Sequence, residues 1–273
     1  MYNSKFNIYV NKKSIPAYDR GFNYGDGVFE TILVKNNKPL YLEDHAARLH
    51  NGCEKIFIRK PSIKLINQNV KNAVGRTKNC IIKILISRGS TNFGYQFPKN
   101  LKPNIYFFKI PLKMKFNLKH KLVKLKFSKF IPDTDKNFSR IKHCNRLPQV
   151  VIANELNQDK SINDLIVVKD KFIIETLSAN LFFVKVHNKS YTFETPIISN
   201  FGVDGILKEK VINYLLKAKF KVNKKNIKTS DISKYSSCFK VNSIKGVVFI
   251  DSIEKNKFKK SEMLYNILKS FIY

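Results

Sequence analysis

The sequence predicts a mixed α/β (α+β) chain folded as two domains. Three observations predict it. Short apolar runs of strand length interleave with stretches whose apolar residues recur at helical spacing, the pattern of layered α/β units. With 273 residues and 43% hydrophobic content the chain can bury two modest cores. The stretch from Lys113 to Phe130 reads as a passage from a smaller N-terminal α/β domain, residues 1–115, to a larger C-terminal domain, residues 116–273.

In the first domain, strands are expected near Phe6 to Val10 and Val28 to Val34. A helix follows from Leu42 to Phe57, because Ala46, Leu49, Cys53 and Ile56 fall on one helical face. Strands around Ile81 to Ser87 and Ile105 to Ile110 complete the unit. The passage Lys113 to Phe130 alternates lysine with apolar residues, the period of a strand with one buried face and its lysines in water. The same alternation, with its aromatics, would also suit a nucleic-acid-binding ribbon. Beyond it, Cys144 to Leu156 reads as a helix, and Asp164 to Val168, Phe172 to Glu175 and Leu181 to Val186 as strands. A helix from Ile206 to Lys219 turns Ile206, Val211, Leu215 and Leu216 inward. Strands near Phe239 to Val241 and Val247 to Ile250 precede a closing helix, Ser261 to Ser270. There are no internal repeats and no low-complexity linker, so the two domains are expected to pack tightly.

No run approaches the roughly 18 to 20 apolar residues of a membrane span, and MYNSKFNIYVNKK lacks the apolar region of a signal peptide. A cytoplasmic protein is the expectation. The four cysteines, Cys53, Cys80, Cys144 and Cys238, form no CxxC pair and no regular spacing with the histidines, which argues against zinc and against a disulfide framework. Cys144 lies two residues from Lys142 and reads as a small buried hydrophobe rather than a nucleophile.

A formal net charge of +31 suggests a nucleic-acid partner. The distribution argues otherwise, because lysines are scattered through almost every segment. Asn, Ile, Phe and Tyr are abundant and Trp is absent, the signature of an AT-rich gene, which its base composition would test. In such a background the surviving arginines, Arg20, Arg48, Arg76, Arg88, Arg140 and Arg146 among them, mark positions that need a planar fork for carboxylate or phosphate.

Seven words recur in a telling order: DRGFNYGDGVFET (Asp19 to Thr31), EDHAARL (Glu43 to Leu49), ISRGS (Ile86 to Ser90), IKHCNRLPQV around Lys142, IIETLSANLF around Glu175, GVDGILKEKV (Gly202 to Val211) and VNSIKGV (Val241 to Val247). The set resembles the fold-type IV enzymes of the class IV aminotransferase family, which use pyridoxal 5'-phosphate (PLP) and include branched-chain and D-amino acid aminotransferases and aminodeoxychorismate lyases. The resemblance implies a D-amino acid aminotransferase-like two-domain fold, a small-molecule substrate, and a homodimer with its active site between the domains. It makes Lys142, expected on the larger domain, the Schiff-base lysine and acid-base. Glu175 would hold the pyridine nitrogen protonated. Arg48, the backbone amides of Ile206 and Leu207, and Ser243 would take the phosphate.

Ser178, Ala179 and Asn180 would line the cofactor pocket, with Arg88, Tyr95 and Asn242 on the substrate side. Each has a plainer reading: a solvated lysine, a strand-end glutamate, a surface arginine, an ordinary helix start, a strand serine, and for Arg88 a structural ion pair. His143 is the weaker choice of base, and Arg20 fits a turn-fixing role. Asn145, Arg146 and Leu147, with Gln149 and Val150, look most like the lyase branch, which implies conversion of 4-amino-4-deoxychorismate to 4-aminobenzoate and pyruvate. Three positions depart from the pattern. Phe93 precedes Gly94 and Tyr95 where some lyases carry arginine, Pro148 stands where an acidic residue is common, and Lys208 replaces a frequent arginine. The alternatives are an aminotransferase for D- or branched-chain amino acids and, more remotely, a basic nucleic-acid-binding protein.

Overall fold

The computed structural model describes residues 5–92, 94–112, 122–133, 137–188, 190–199, 201–259 and 261–273. The chain divides into two units, Met1–Lys115 with Ile141–Arg146, and Phe116–Arg140 with Leu147–Tyr273.

The first unit contains β1 (Asn7–Val10), α1 (Arg20–Tyr24), β2 (Gly27–Lys35), β3 (Lys38–Pro39), α2 (Leu42–Lys55), α3 (Ile63–Val74), β4 (Cys80–Ser87) and β5 (Asn104–Pro111). Its strands form one sheet in the order β1-β5-β4-β2-β3 among the described residues. Alternation sorts the two faces. Val28, Ile32 and Val34 of β2 and Ile82, Ile84 and Ile86 of β4 pack against Ala46, Leu49 and Cys53 of α2 and Ile66, Val70 and Ala73 of α3. Each fully buried Val, Leu or Ile among them contributes about 1.5–3 kcal/mol. The helix α3 was not expected from the sequence. Its signals are the N-cap Ser62, whose hydroxyl accepts from Leu65 N, and the apolar spacing Ile66, Val70, Ala73.

The segment carrying Lys142 differs from expectation. It belongs to the first unit, not to the larger C-terminal one. The reason is backbone pairing: β3 covers only the far end of β2, and the near end takes the returning chain instead. Phe29 N donates to Lys142 O at 2.9 Å, and Cys144 N to Gly27 O at 2.8 Å. That pairing also moves the start of the following helix from the expected Cys144 to Leu147. Pro148 then lies in the first turn, where a missing N–H leaves no bond unmade.

The second unit holds β6 (Val123–Phe127), α4 (Leu147–Gln158), β7 (Asp164–Lys169), β8 (Phe172–Thr176), β9 (Asn180–His187), β10 (Ser190–Pro196), α5 (Ile206–Lys217), β11 (Lys221–Lys225), β12 (Ile227–Lys228), β13 (Ser237–Asn242), β14 (Gly246–Ile253), β15 (Asn256–Lys257) and α6 (Glu262–Leu268). Its sheet runs β11-β10-β9-β13-β14-β6-β7-β8-β12, with β15 beside β14. The strands β10 and β11 were not expected. Of the lysine-rich passage, residues 113–121 lie outside the described residues. The remainder forms β6, with Val123 and Leu125 buried and Lys124 and Lys126 in water. On α5, Leu216 is 52% exposed rather than inward, and Ile212 takes its place in the core. Among the described residues no helix is long and apolar enough to cross a membrane.

One carboxylate ties the first unit together. Asp19 Oδ1 caps α1 by accepting from Gly21 N and Phe22 N, while Oδ2 accepts from Ser87 Oγ at 2.8 Å, Asn104 Nδ2 at 2.7 Å and Tyr106 Oη at 2.6 Å. Burial and this bond push the Tyr106 hydroxyl well above its usual range. Asp19→Ala removes the shared acceptor of three buried donors on β4 and β5, of which, among the described residues, only Asn104 Nδ2 keeps a second acceptor, Ser90 Oγ, and is expected to destabilise the protein by about 3–5 kcal/mol in urea unfolding. A loss under about 1 kcal/mol would contradict that role.

Candidate active site

The alternation of β2 sends neighbouring residues to opposite faces of its sheet. Glu30 points to the helix side and is 1% exposed. Its carboxylate takes both prongs of Arg48, Nε at 2.6 Å and Nη2 at 2.8 Å, and His45 Nδ1 at 2.7 Å. Arg48 and His45 reach it together because they are three residues apart on α2. Burial alone would raise the Glu30 carboxyl, but Arg48 and His45 outweigh it and hold it at about 2. Glu30 therefore fixes the direction of the Arg48 guanidinium.

Phe29 points to the other face. The Lys142 amine lies 4.5 Å from its ring centroid and the Arg146 guanidinium carbon 5.8 Å. Arg146 closes the Lys142 turn by donating from Nε to His143 O at 2.9 Å and from Nη2 to Ile141 O at 3.1 Å. Burial and the Arg146 charge push the His143 imidazole down to about 4, so it is uncharged near neutrality. Burial pushes the Cys144 thiol up to about 12, which makes it a poor nucleophile.

A brace next to this face holds the residue 94–97 loop. Asp26 pairs with Nε of both Arg20 and Arg88. Arg20 donates to the carbonyls of Gly94, Tyr95 and Gln96, and Arg88 to those of Ile56 and Phe57. The Phe97 ring lies 5.3 Å from the Arg20 guanidinium carbon and 4.2 Å from that of Arg88. Tyr95 is 86% exposed, with its ring against Tyr24. Phe93 lies outside the described residues.

In the second unit, Glu175 on β8 is 7% exposed, and its Oε2 accepts from Val203 N at 3.1 Å and from Asn180 Nδ2 at 3.4 Å. The start of α5 presses on the same pair. A Cβ at Gly202, where φ is +99°, would come within 3.1 Å of the Glu175 carboxyl carbon, and one at Gly205 within 2.0 Å of Asn180 Oδ1. Among the described residues no side chain caps α5 at Gly205, so the amides of its first turn, Ile206 and Leu207 among them, face outward from the helix start as donors. Lys208 is 2% exposed; burial lowers its ammonium pKa, opposed by Asp204 and, more weakly, by Glu175. Asn242 donates to Ser178 O and accepts from Ile244 N and Lys245 N, a turn that includes half-buried Ser243. Ser178 itself is exposed. Among the described residues no group of three or more His, Cys, Asp or Glu could hold a metal ion.

The amino-transferase class IV family model matches residues 27–253. The chain belongs to the class IV aminotransferase family. It is 27% identical to the aminodeoxychorismate lyase of Vibrio harveyi over 88% of this chain and 87% of that one. It is 26% identical to the D-alanine aminotransferase of Bacillus licheniformis, over 73% and 69% respectively. In fold it is similar to the crystal structure of 4-amino-4-deoxychorismate lyase from Pseudomonas aeruginosa, with a TM-score of 0.86, 21% identity, and coverage of 95% of this chain and 94% of that chain. The two-sheet mixed α/β architecture is that of fold-type IV PLP enzymes.

As a class IV aminotransferase-family chain, the protein gathers its expected residues in two groups. Lys142 and Arg146 meet at Phe29, His143 pairs with Val28, and Arg48 lies on the opposite face of β2 from Phe29. Glu175, Asn180, Ile206 and Leu207 meet at the start of α5. Arg88 is engaged by Asp26 and two carbonyls, the ion-pair reading of that residue. Sequence reasoning missed Glu30 and Phe29, although both stand inside a word it singled out.

Because Glu30 drops from 4.5 to about 2 in the folded chain, its ionisation contributes, net of the burial cost, about 3 kcal/mol above pH 4.5. That contribution is lost as pH falls from 4.5 through 2. Acid unfolding of Glu30→Gln is expected to lack this component, so its stability should vary less with pH in that window than the wild type's. Parallel pH profiles in urea would contradict it.

Proposed function

We propose that the protein is a PLP-dependent 4-amino-4-deoxychorismate lyase, which forms 4-aminobenzoate and pyruvate. The observation that carries this reading is the Lys142 turn, tied to β2 by its own carbonyl, closed by Arg146, and presenting its amine at the Phe29 ring. The likeness to the Vibrio harveyi lyase over most of both chains supports it. When bound, PLP supplies an electron sink for the carbon that bears the substrate's nitrogen.

The residues present fit such a group. Glu175, buried and aimed by Val203 and Asn180, would keep a proton on the pyridine nitrogen. The uncapped start of α5, with the amides of Ile206 and Leu207 and the cradle at Gly205, suits a phosphate, as do Arg48 and Ser243. Ser178 and Asn180 would line the ring.

Lys142 would anchor the cofactor covalently and take the proton from the substrate ring carbon bearing nitrogen. The enolpyruvyl oxygen leaves from the neighbouring carbon, the ring becomes aromatic, and the departing enol gains a proton to become pyruvate. No keto acid enters. On the substrate side, Tyr95 and Asn242 are less committed than Arg88. The assembly in this reading is a homodimer, which sedimentation would distinguish from a monomer. A second reading, a D-amino acid aminotransferase, is favoured by the Bacillus licheniformis relative and requires a keto-acid acceptor.

The deciding measurement is incubation with aminodeoxychorismate and PLP without any keto acid. Equal yields of 4-aminobenzoate and pyruvate are expected, with Lys142→Ala slower by at least about a thousandfold. Activity that appears only when a keto acid is added would replace the lyase by the aminotransferase.

A further inference from the structure

Arg140 has its φ at +67°, in the left-handed region that residues with a Cβ rarely adopt. A residue held there needs surroundings that compensate the strain. Arg140 finds them in the segment that joins β10 to α5. Its backbone N–H donates to Gly202 O at 3.0 Å, it forms an isolated bridge with Val203, and its Nε donates to Ile198 O at 2.9 Å. The same Nε lies 3.7 Å from Asp204 Oδ2, a partly exposed pair of small energetic weight. The grip is therefore on backbone, at both Ile198 and Gly202. Glycine would adopt this φ without strain but would have no group to reach Ile198. Arginine keeps the strain and gains the second contact.

The gripped backbone reaches Glu175. Val203 N donates to Glu175 Oε2 at 3.1 Å, and Asn180 Nδ2 donates both to that oxygen and to Val203 O. Gly202 packs so closely that a Cβ there would come within 3.1 Å of the Glu175 carboxyl carbon. An ionised carboxylate only accepts, so the donors around it decide how it is aimed. One of those donors is a backbone amide, and its place follows from where Gly202 and Val203 are held.

We propose that Arg140 is a positioning residue that keeps the Val203 amide on Glu175, and so sets how tightly the chain holds a cofactor whose pyridine nitrogen meets that carboxylate. The proposal rests on the PLP reading for the identity of the cofactor. Arg140 acts through Glu175, by way of the Ile198 and Gly202 carbonyls.

The test compares the full-length wild type with Arg140→Asn, because asparagine tolerates a left-handed φ and lacks the reach to Ile198. Amide hydrogen exchange at Val203 is followed by NMR with and without PLP, and the Kd for PLP is measured by equilibrium dialysis. Arg140→Asn is expected to speed exchange at Val203 by at least about tenfold and to weaken PLP binding by about threefold to tenfold. In a Glu175→Gln background the same substitution is expected to change PLP affinity by less than about twofold, because the effect passes through that carboxylate. A substitution that merely loosened the fold would weaken PLP equally in both backgrounds. If Arg140→Asn fails to fold, Arg140→Gly, which relieves the φ, takes its place. Unchanged exchange at Val203, unchanged PLP affinity, or an equal loss in both backgrounds overturns the proposal. A wild type that binds no PLP refutes the cofactor reading instead, and exchange at Val203 still decides whether Arg140 holds that amide.

Discussion

The near end of β2 hydrogen-bonds to the returning segment Ile141–Arg146, and the first unit's functional geometry depends on that pairing. A strand edge left open is normally a liability, since its N–H and C=O groups need partners. Here β3 is too short to cover it, and the vacancy fixes where Lys142 comes to rest. Because strand residues alternate, neighbouring positions of β2 serve two purposes. Glu30 holds Arg48 on the helix face, and Phe29 meets Lys142 on the other. A one-residue slip would exchange the faces and put Glu30 among the cations.

The carboxylates Glu30 and Asp26 explain why arginine persists in a chain so rich in lysine. Glu30 takes a two-pronged grip from Arg48, Asp26 is shared by Arg20 and Arg88, and both of the latter also hold backbone carbonyls. Arg146 and Arg140 likewise bind carbonyls. A lysine has the charge but not the fixed fork needed to satisfy several acceptors at once. Arg76, exposed and without such partners among the described residues, is where that reasoning from sequence does not apply. The buried Lys208 shows the converse. It keeps Asp204 and the Pro196 carbonyl as partners at 3.7 and 3.4 Å, looser than the arginine contacts.

Periodicity made β2, β4 and α2 legible, because a half-buried strand or helix must repeat its apolar residues at its own period. The helix α3 carried the same signal together with a serine cap, and its absence from the reading was an oversight rather than a physical limit. The placement of Ile141–Arg146 was a genuine limit. Nothing local distinguishes a segment that starts a helix from one that first pairs with a strand more than a hundred residues earlier. Lys142 and Glu175 were singled out through the words around them, while Glu30 and Lys83 were not. A glutamate inside an apolar strand and a lysine between isoleucines are the available signals, since each needs a reason to tolerate burial.

Lys83 also bears on how the net charge of +31 should be understood. At physiological salt an exposed charge is largely screened beyond about 8 Å, so lysines scattered over the surface add a diffuse attraction for any anion and little selectivity. A cation set in an apolar strand is screened less and meets its ligand at close range, where a single charge-assisted contact carries more weight than many distant ones. Drift toward lysine can therefore raise the global charge with little effect on recognition. The three cations around Phe29, those of Lys83, Lys142 and Arg146, differ from those surface lysines in that their positions are fixed by β4, by the Lys142 turn and by the carbonyls that Arg146 binds.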